Sequence, residues 1–282
     1  MNLTNPETIK KIMDGLGRGF NKSLGQNFLI DQSVLDCTIE SSGIDETYGV
    51  IEVGPGIGTL TVELSKHAGK VVAIELDRGI AEYLKKAFVA YDNVEIVQGD
   101  ALKTDLKQII DEYMPGMPVV VIANLPYYIT TPLIMRFLEE DLPFESITVL
   151  IQKEVAERIV SPAGKKEYGA ISVAVQYYST PEIMKIVPPD SFMPPPKVTS
   201  AVIKMDIKNH KKPEVEDEKT LFKVVHAAFG QRRKTLVNAL SSAFPIPKED
   251  IADIVKDITG NEKIRGEQLD LWQFIQISEK FK

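Results

Sequence analysis

The stretch Pro118-Val-Val-Val-Ile-Ala-Asn-Leu-Pro-Tyr-Tyr-Ile-Thr-Thr-Pro132 decides how the rest of the chain is read. Val119 to Ile122 is an apolar, β-branched run, the pattern of a parallel strand buried on both faces. The run stops at Asn124-Leu125-Pro126-Tyr127, so polar and aromatic groups gather at the carboxyl end of a buried strand. Open α/β sheets bind their ligands at that end. Asn124 offers a side-chain carbonyl as acceptor, and the Leu125 carbonyl, in the peptide before a proline, offers a second. Two acceptors converging on an exocyclic NH2 would hold an amine and orient its lone pair. Tyr127 supplies a flat face for an unstacked base, a contact worth about 1–3 kcal/mol. The same four residues also describe a plain strand followed by an Asn/Pro turn, with Tyr127 and Tyr128 as packing aromatics.

Upstream, Gly49-Val-Ile-Glu-Val-Gly-Pro-Gly-Ile-Gly58 is a strand running into a glycine turn, with a helix expected over 59–67. Glycines let the backbone approach a ligand and aim helix-start N–H groups at it. The spacing is G-x-G-x-G, not the dinucleotide G-x-G-x-x-G, and the turn alone is a weak signal. A second strand, Lys70 to Glu75, ends in an acid about 20 positions after the glycines, the place of a ribose-binding carboxylate. A third, Val94 to Val97, ends in Gly99-Asp100-Ala101, where Asp100 is either a turn residue or an acceptor for an adenine amine. Earlier still, Lys22-Ser-Leu-Gly-Gln-Asn-Phe-Leu-Ile-Asp31 is a polar loop before a helix starting near Gln32; Gln26 and Asn27 either line a ligand or cap that helix.

Downstream, a helix near Pro132–Glu139, a strand over 147–151 and a helix near Lys153–Val160 continue the alternation that marks a doubly wound parallel sheet. Residues 161–168 form a basic loop, and helix 169–178 precedes strand 182–187. Phe192-Met-Pro-Pro-Pro-Lys-Val198 is a stiff segment feeding a last strand, Thr199–Ile207. The polar run Asn209–Glu218 sets the expected boundary. Residues 1–208, including an arm over 1–30, make an α/β domain, and 209–282 make a small all-α domain. Within the tail, Arg232, Arg233 and Lys234 are a basic cluster between apolar turns, either solvated or placed for phosphates.

Composition bounds the class. A chain of 282 residues, 44% hydrophobic and 26% charged, is ordinary for a globular protein with ample core. One cysteine, Cys37, excludes an intrachain disulfide or a cysteine-rich metal site, so a reducing, cytoplasmic setting is expected. His67, His210 and His226 have no spacing for a metal or a catalytic triad, and no apolar run is long enough to span a membrane. The net charge of −7 is unevenly spread: residues 31–205 carry 15 Lys/Arg against 25 Asp/Glu, whereas 1–30 carry four against two. Nucleic-acid binding follows local patches, not totals.

Taken in order, Leu24-Gly-Gln-Asn-Phe-Leu29, Glu52-Val-Gly-Pro-Gly-Ile-Gly58, Glu75, Gly99-Asp100-Ala101, Asn124-Leu-Pro-Tyr127, Phe192-Met-Pro-Pro-Pro-Lys-Val198 and Phe229-Gly-Gln-Arg-Arg-Lys234 resemble the KsgA-type ribosomal RNA adenine dimethyltransferases. These share a superfamily with the Erm enzymes, and the resemblance covers nearly the whole chain. It implies a class I S-adenosylmethionine-dependent methyltransferase, with a Rossmann-like, doubly wound, mostly parallel sheet and a C-terminal helical domain for RNA. It implies dimethylation of two adjacent adenines near the 3′ end of 16S rRNA in the 30S particle, late in ribosome biogenesis, by a monomer that needs no metal. Asn27, Leu29, Gly54, Glu75, Asp100 and Asn124 would contact S-adenosylmethionine, with Glu75 on the ribose and Asp100 on the adenine amine. Asn124, Leu125, Pro126 and Tyr127 would hold the acceptor, and Arg232, Arg233 and Lys234 would meet RNA. Three alternatives stay open: an Erm-type enzyme acting on 23S rRNA, a non-catalytic rRNA-binding assembly factor, and a nicotinamide-dependent oxidoreductase on the same sheet type.

Overall fold

The computed structural model describes residues 3–17 and 27–281. Its elements, numbered along the chain, begin with α1 (Pro6–Gly15), β1 (Phe28–Leu29), α2 (Gln32–Ser42), β2 (Gly49–Val53) and α3 (Thr59–His67). There follow β3 (Lys70–Glu75), α4 (Arg78–Ala87), β4 (Val94–Gln98), α5 (Leu106–Tyr113), β5 (Val119–Asn124), α6 (Thr130–Glu139) and β6 (Phe144–Gln152). The remainder is α7 (Lys153–Val160), α8 (Ala170–Tyr178), β7 (Thr180–Val187), β8 (Phe192–Met193), β9 (Ser200–Asp206), α9 (Glu218–Gly230), α10 (Leu236–Ser241), α11 (Lys248–Thr259) and α12 (Leu271–Glu279).

Two compact units result: Met1–Ala156 with Pro181–Asn209, and Glu157–Thr180 with His210–Lys282. This differs from a single cut at 208/209, because residues 157–180 belong with the tail. The cause is local to α8 and α9. The Tyr177 and Tyr178 hydroxyls both donate to the Glu218 carboxylate, at 3.1 and 2.9 Å, and both rings pack on Phe222. Below them, Leu221, Val224, Val225 and Ala228 of α9 and Phe274 and Ile277 of α12 are buried.

The first unit is built on a seven-stranded sheet of order β4-β3-β2-β5-β6-β9-β7. β2 pairs in parallel with β3 and β5, β3 with β4, and β5 with β6, while β9 runs antiparallel to β6. The chain therefore moves outward from β2 through β3 to β4, then crosses back to β5 on the other side of β2. That reversal is a topological switch point. Every residue of β2 is buried, as expected for a strand covered on both faces. Leu35, Leu64, Leu84 and Phe88 are among the side chains that bury the sheet, each Leu contributing roughly 1.5–3 kcal/mol relative to exposure. α5, which the sequence reading does not place, packs through buried Leu106, Ile109 and Ile110 and is capped by Asp105, whose carboxylate accepts from the Gln108 amide at 2.9 Å.

The ladders are unequal in length. β2 pairs with β3 through Val53↔Ile74, and β5 with β6 through Asn124↔Leu150, but β2 and β5 pair only as far as Ile51↔Val121. The two central strands part before they end, and the gap opens at the switch point.

Glu52 sits beside that gap, 1% exposed, and its carboxylate accepts from the Thr61 hydroxyl at 2.7 Å. Burial pushes its carboxyl up from 4.5 to about 8, the Thr61 bond opposes this, and the negative charge of Glu75 adds to it. Between those two values the folded chain holds a proton that the unfolded chain has released, so stability falls as pH rises. Glu52→Gln keeps an acceptor for Thr61 and removes the titration. We predict that the variant matches wild type near pH 4.5 and gains on it toward pH 8, by on the order of 2–4 kcal/mol in urea unfolding. A gap independent of pH would refute the buried, protonated Glu52.

Candidate functional site

The gap between β2 and β5 is the floor of a cleft of about 250 Å³ in the first unit. Asn27, Leu29, Gly54, Glu75, Asp100, Asn124, Leu125, Pro126 and Tyr127 all line it, although they come from five separate segments. Each arrives there for a local reason.

The glycine turn leaves β2 with Gly54 and Gly56 at φ +67 and +57, backbone that a side chain would strain. A Cβ at Gly54 would lie 3.6 Å from the Pro126 ring, and one at Gly56 would lie 3.1 Å from the Phe28 ring. The turn thus passes close under two other walls of the cleft. Glu75 ends β3 nearly buried, and its Oε1 accepts from the Asp77 amide at 2.8 Å. Burial raises its carboxyl, the Asp77 amide lowers it, the Asp77 charge raises it, and the Gly56 amide lowers it again. The Asp100 carboxylate, just past β4, accepts from the Leu102 amide at 3.0 Å and stands 3.6 Å from the exposed Lys103 ammonium.

The Asn124 amide nitrogen donates to the Asn27 carbonyl at 3.4 Å, a long bond that leaves Oδ1 as the acceptor. The Leu125 amide donates to the Leu150 carbonyl at 3.1 Å, so the motif is still tied to β6 where β5 ends. The Pro126 carbonyl accepts from the Ile129 amide and the Thr130 hydroxyl, both at 3.2 Å, which closes the turn into α6. Tyr127 is held at its far end, where its hydroxyl and that of buried Ser200 share a 2.7 Å hydrogen bond. Burial pushes the Tyr127 hydroxyl up, with the Ser200 bond working against it, so the ring is a neutral surface at ordinary pH.

The Asn27 loop has a partner that the sequence reading does not supply. Phe28 pairs with Met193 and Leu29 with Phe192, and the Asp31 carboxylate accepts from the Ser191 hydroxyl at 2.9 Å. The start of the proline-rich segment is therefore the strut that places Asn27 and Leu29 at the cleft. Lys22 to Gln26 of that loop lie outside the described residues. Glu52, Phe28 and the half-exposed Tyr128 also line the cleft; Glu52 stands out in the sequence as the one acid in an apolar strand and Phe28 flanks an amide-bearing loop, but no sequence signal separates Tyr128 from packing residues. Among the described residues, the lining contains Glu52, Glu75 and Asp100 but no lysine, arginine or histidine.

In the second unit the basic cluster is divided. Arg232 donates from Nη2 to the carbonyls of Lys166 and Tyr168, each at 3.0 Å, and pairs with Glu267 at 3.3 Å. It is a brace joining the 161–168 loop to the 266–268 turn. Arg233 and Lys234 are exposed.

The ribosomal RNA adenine dimethylase family model matches residues 17–281. A curated relative from Alkaliphilus oremlandii (strain OhILAs), named ribosomal RNA small subunit methyltransferase A, is 47% identical over 273 residues, covering 96% of this chain and 95% of the relative. Among solved structures, a dimethyladenosine transferase from Plasmodium falciparum aligns with a TM-score of 0.74 at 26% identity, over 90% of this chain and 96% of that one. The 23S rRNA methyltransferase ErmE shares the fold, with a TM-score of 0.69 at 22% identity over 90% of this chain and 99% of that one. The chain belongs to the ribosomal RNA adenine dimethylase family.

Proposed function

We propose that this chain, acting as a cytoplasmic monomer, dimethylates the exocyclic amines of two adjacent adenines near the 3′ end of 16S rRNA, within the 30S particle and late in its biogenesis. Family membership makes it an S-adenosylmethionine-dependent rRNA adenine methyltransferase. The observation that carries the finer reading is the convergence of nine motif residues on one cleft whose described lining is acidic and free of basic groups. The small-subunit assignment is supported by the name of the 47% identical relative.

The residues present fit the donor. S-adenosylmethionine supplies an activated methyl on a cationic sulfonium, and a lining of carboxyl groups without cations suits a positive ligand. The same lining disfavours the anionic pyrophosphate of a nicotinamide cofactor. Gly54 and Gly56 leave room for close backbone approach, Glu75 is placed for the ribose hydroxyls, and Asp100 for the adenine amine.

The chemical difficulty lies with the acceptor, because an adenine amine delocalises its lone pair into the ring. Asn124 Oδ1 and the Leu125 carbonyl accept hydrogen bonds from the amine and hold it out of conjugation, while Tyr127, fixed by Ser200, carries the flipped base. The methylated amine loses its proton to water, so no side chain is needed as base; the geometry does the work of positioning. Asn124, being neutral, also tolerates an amine with one hydrogen left after the first transfer.

The test is radiolabelled methyl transfer onto under-methylated 30S particles, 50S precursors and naked 16S rRNA. We expect label on 3′-end adenines of the 30S rRNA, lost by about 10²-fold or more in Asn124→Ala. Label confined to 50S precursors would move the enzyme to 23S rRNA; donor binding with no transfer anywhere would leave an assembly factor. The basic cluster gives a second prediction. Replacing Arg233 and Lys234 with alanine is expected to weaken particle binding and lower the salt slope by about one unit per lost phosphate contact. Arg232→Ala is expected instead to cost about 0.5–1.5 kcal/mol of folding stability, because it removes the partner of two carbonyls at a partly exposed site. Equal effects of all three on binding alone would contradict that division.

A further inference from the structure

The loop bearing Asp100 is short and tightly turned. The Gly99 amide donates to the Glu75 carbonyl at 2.9 Å, and the Asp100 carbonyl accepts from the amides of Lys103 and Thr104 at 2.8 and 2.9 Å. The Thr104 hydroxyl donates to the same carbonyl at 2.9 Å. The Gly99 bond ties the start of the loop to the end of β3, and the others shape the loop internally. The rest of the loop is held to the body of the unit from α6. The Arg136 guanidinium donates through Nη1 to the Ala101 carbonyl and through Nη2 to the Thr104 carbonyl, the latter at 2.8 Å. Its Nε donates to Glu140 Oε1 at 2.6 Å, which sets the plane of the fork, and the side chain is 13% exposed. A largely shielded, planar cation gripping two backbone carbonyls on either side of one turn is a different object from a solvated surface arginine.

The other end of the same helix is the acceptor motif. α6 starts at Thr130, whose hydroxyl donates to the Pro126 carbonyl, and Arg136 lies about two turns further along. One rigid helix thus touches both halves of the cleft, the Asn124–Tyr127 turn at its start and the Asp100 loop through Arg136.

We propose that Arg136 is a positioning residue for the methyl donor: by binding the Ala101 and Thr104 carbonyls it holds the Asp100 carboxylate on the donor's adenine amine, in fixed register with the acceptor motif. This rests on the assignment of Asp100 to the adenine amine. Arg136 touches neither substrate; it acts through the loop.

The distinguishing readout is selectivity between adenosine and inosine in the bound product. S-inosylhomocysteine carries a carbonyl at C6 where S-adenosylhomocysteine carries the amine, so only the adenosine compound presents a donor at C6, and the one donor of the inosine edge, N1–H, lies a ring position away. Dissociation constants for both compounds are measured by titration calorimetry with wild type, Arg136→Lys, Arg136→Met, Asp100→Ala and the Asp100→Ala/Arg136→Met double variant, alongside melting temperatures. We expect wild type to favour the adenosine compound by at least about tenfold. Arg136→Met loses most of that preference while binding of the inosine compound barely changes. Arg136→Lys, which keeps the charge but not the fork, falls between. The double variant is no worse than Asp100→Ala. If Arg136→Met weakens both compounds equally, or its effect adds in full to that of Asp100→Ala, Arg136 is only a structural brace and the proposal fails. If Asp100→Ala itself leaves the preference intact, it is the Asp100 assignment that fails, and Arg136 has no adenine contact to position.

Discussion

Everything at the site follows from two central strands that stop pairing early. β2 and β5 hydrogen-bond only through Ile51↔Val121, while each continues its ladder with its outer neighbour, to Val53 on one side and to Asn124 on the other. The outer ladders keep the strand ends straight and dry, so the divergence does not fray the sheet. It leaves a wedge-shaped space whose two walls are rigid backbone. Into that space project the first glycine of the turn after β2 and the asparagine that ends β5. The divergence of these two strands thus places Gly54 and Asn124 on facing walls of one cleft.

The wedge is also a low-dielectric place to keep carboxyl groups, and three line it. Glu52 and Glu75 are both raised by burial, and the negative charge of Glu75 raises Glu52 further. Thr61 on Glu52 and the Asp77 and Gly56 amides on Glu75 offset part of the cost of charging them, and the described lining holds no lysine or arginine to offset the rest. A cationic ligand relieves it. The site therefore stores an electrostatic preference for positive charge that a neutral or anionic ligand does not satisfy.

Much of this was legible in the sequence, for definable reasons. The parallel strands show as apolar runs because burial on both faces demands it, and their ends show because Gly54, Glu75, Asp100 and Asn124 break those runs abruptly. Pairing between distant segments leaves no such local trace. β1 and β8 are two residues each, and nothing in Phe28-Leu29 or Phe192-Met193 announces the other. The order that inserts β9 between β6 and β7 is similarly silent. The move of 157–180 into the second unit depends on two tyrosines meeting one glutamate 40 and 41 residues away. Arginines are the hardest case, since Arg136 and Arg232 look from sequence like any solvated charge and prove to be braces on backbone carbonyls.

That last point bears on how an acidic protein engages RNA. Residues 31–205 hold 15 basic side chains against 25 acidic ones, so this part of the chain repels a phosphate backbone in general. The basic side chains that exist are not all available, because Arg136 is held by carbonyls and Glu140 and Arg232 by carbonyls and Glu267. Counterion release is therefore expected to supply little affinity to this part of the chain, and bare RNA of arbitrary sequence is expected to be a poor partner. Affinity must then come from shape, from an RNA surface already folded so that a few exposed cations such as Arg233 and Lys234 reach phosphates together. A preassembled particle meets that condition and a flexible strand does not. The same excess of acid is thus expected to favour a cationic donor in the cleft and to disfavour unassembled RNA.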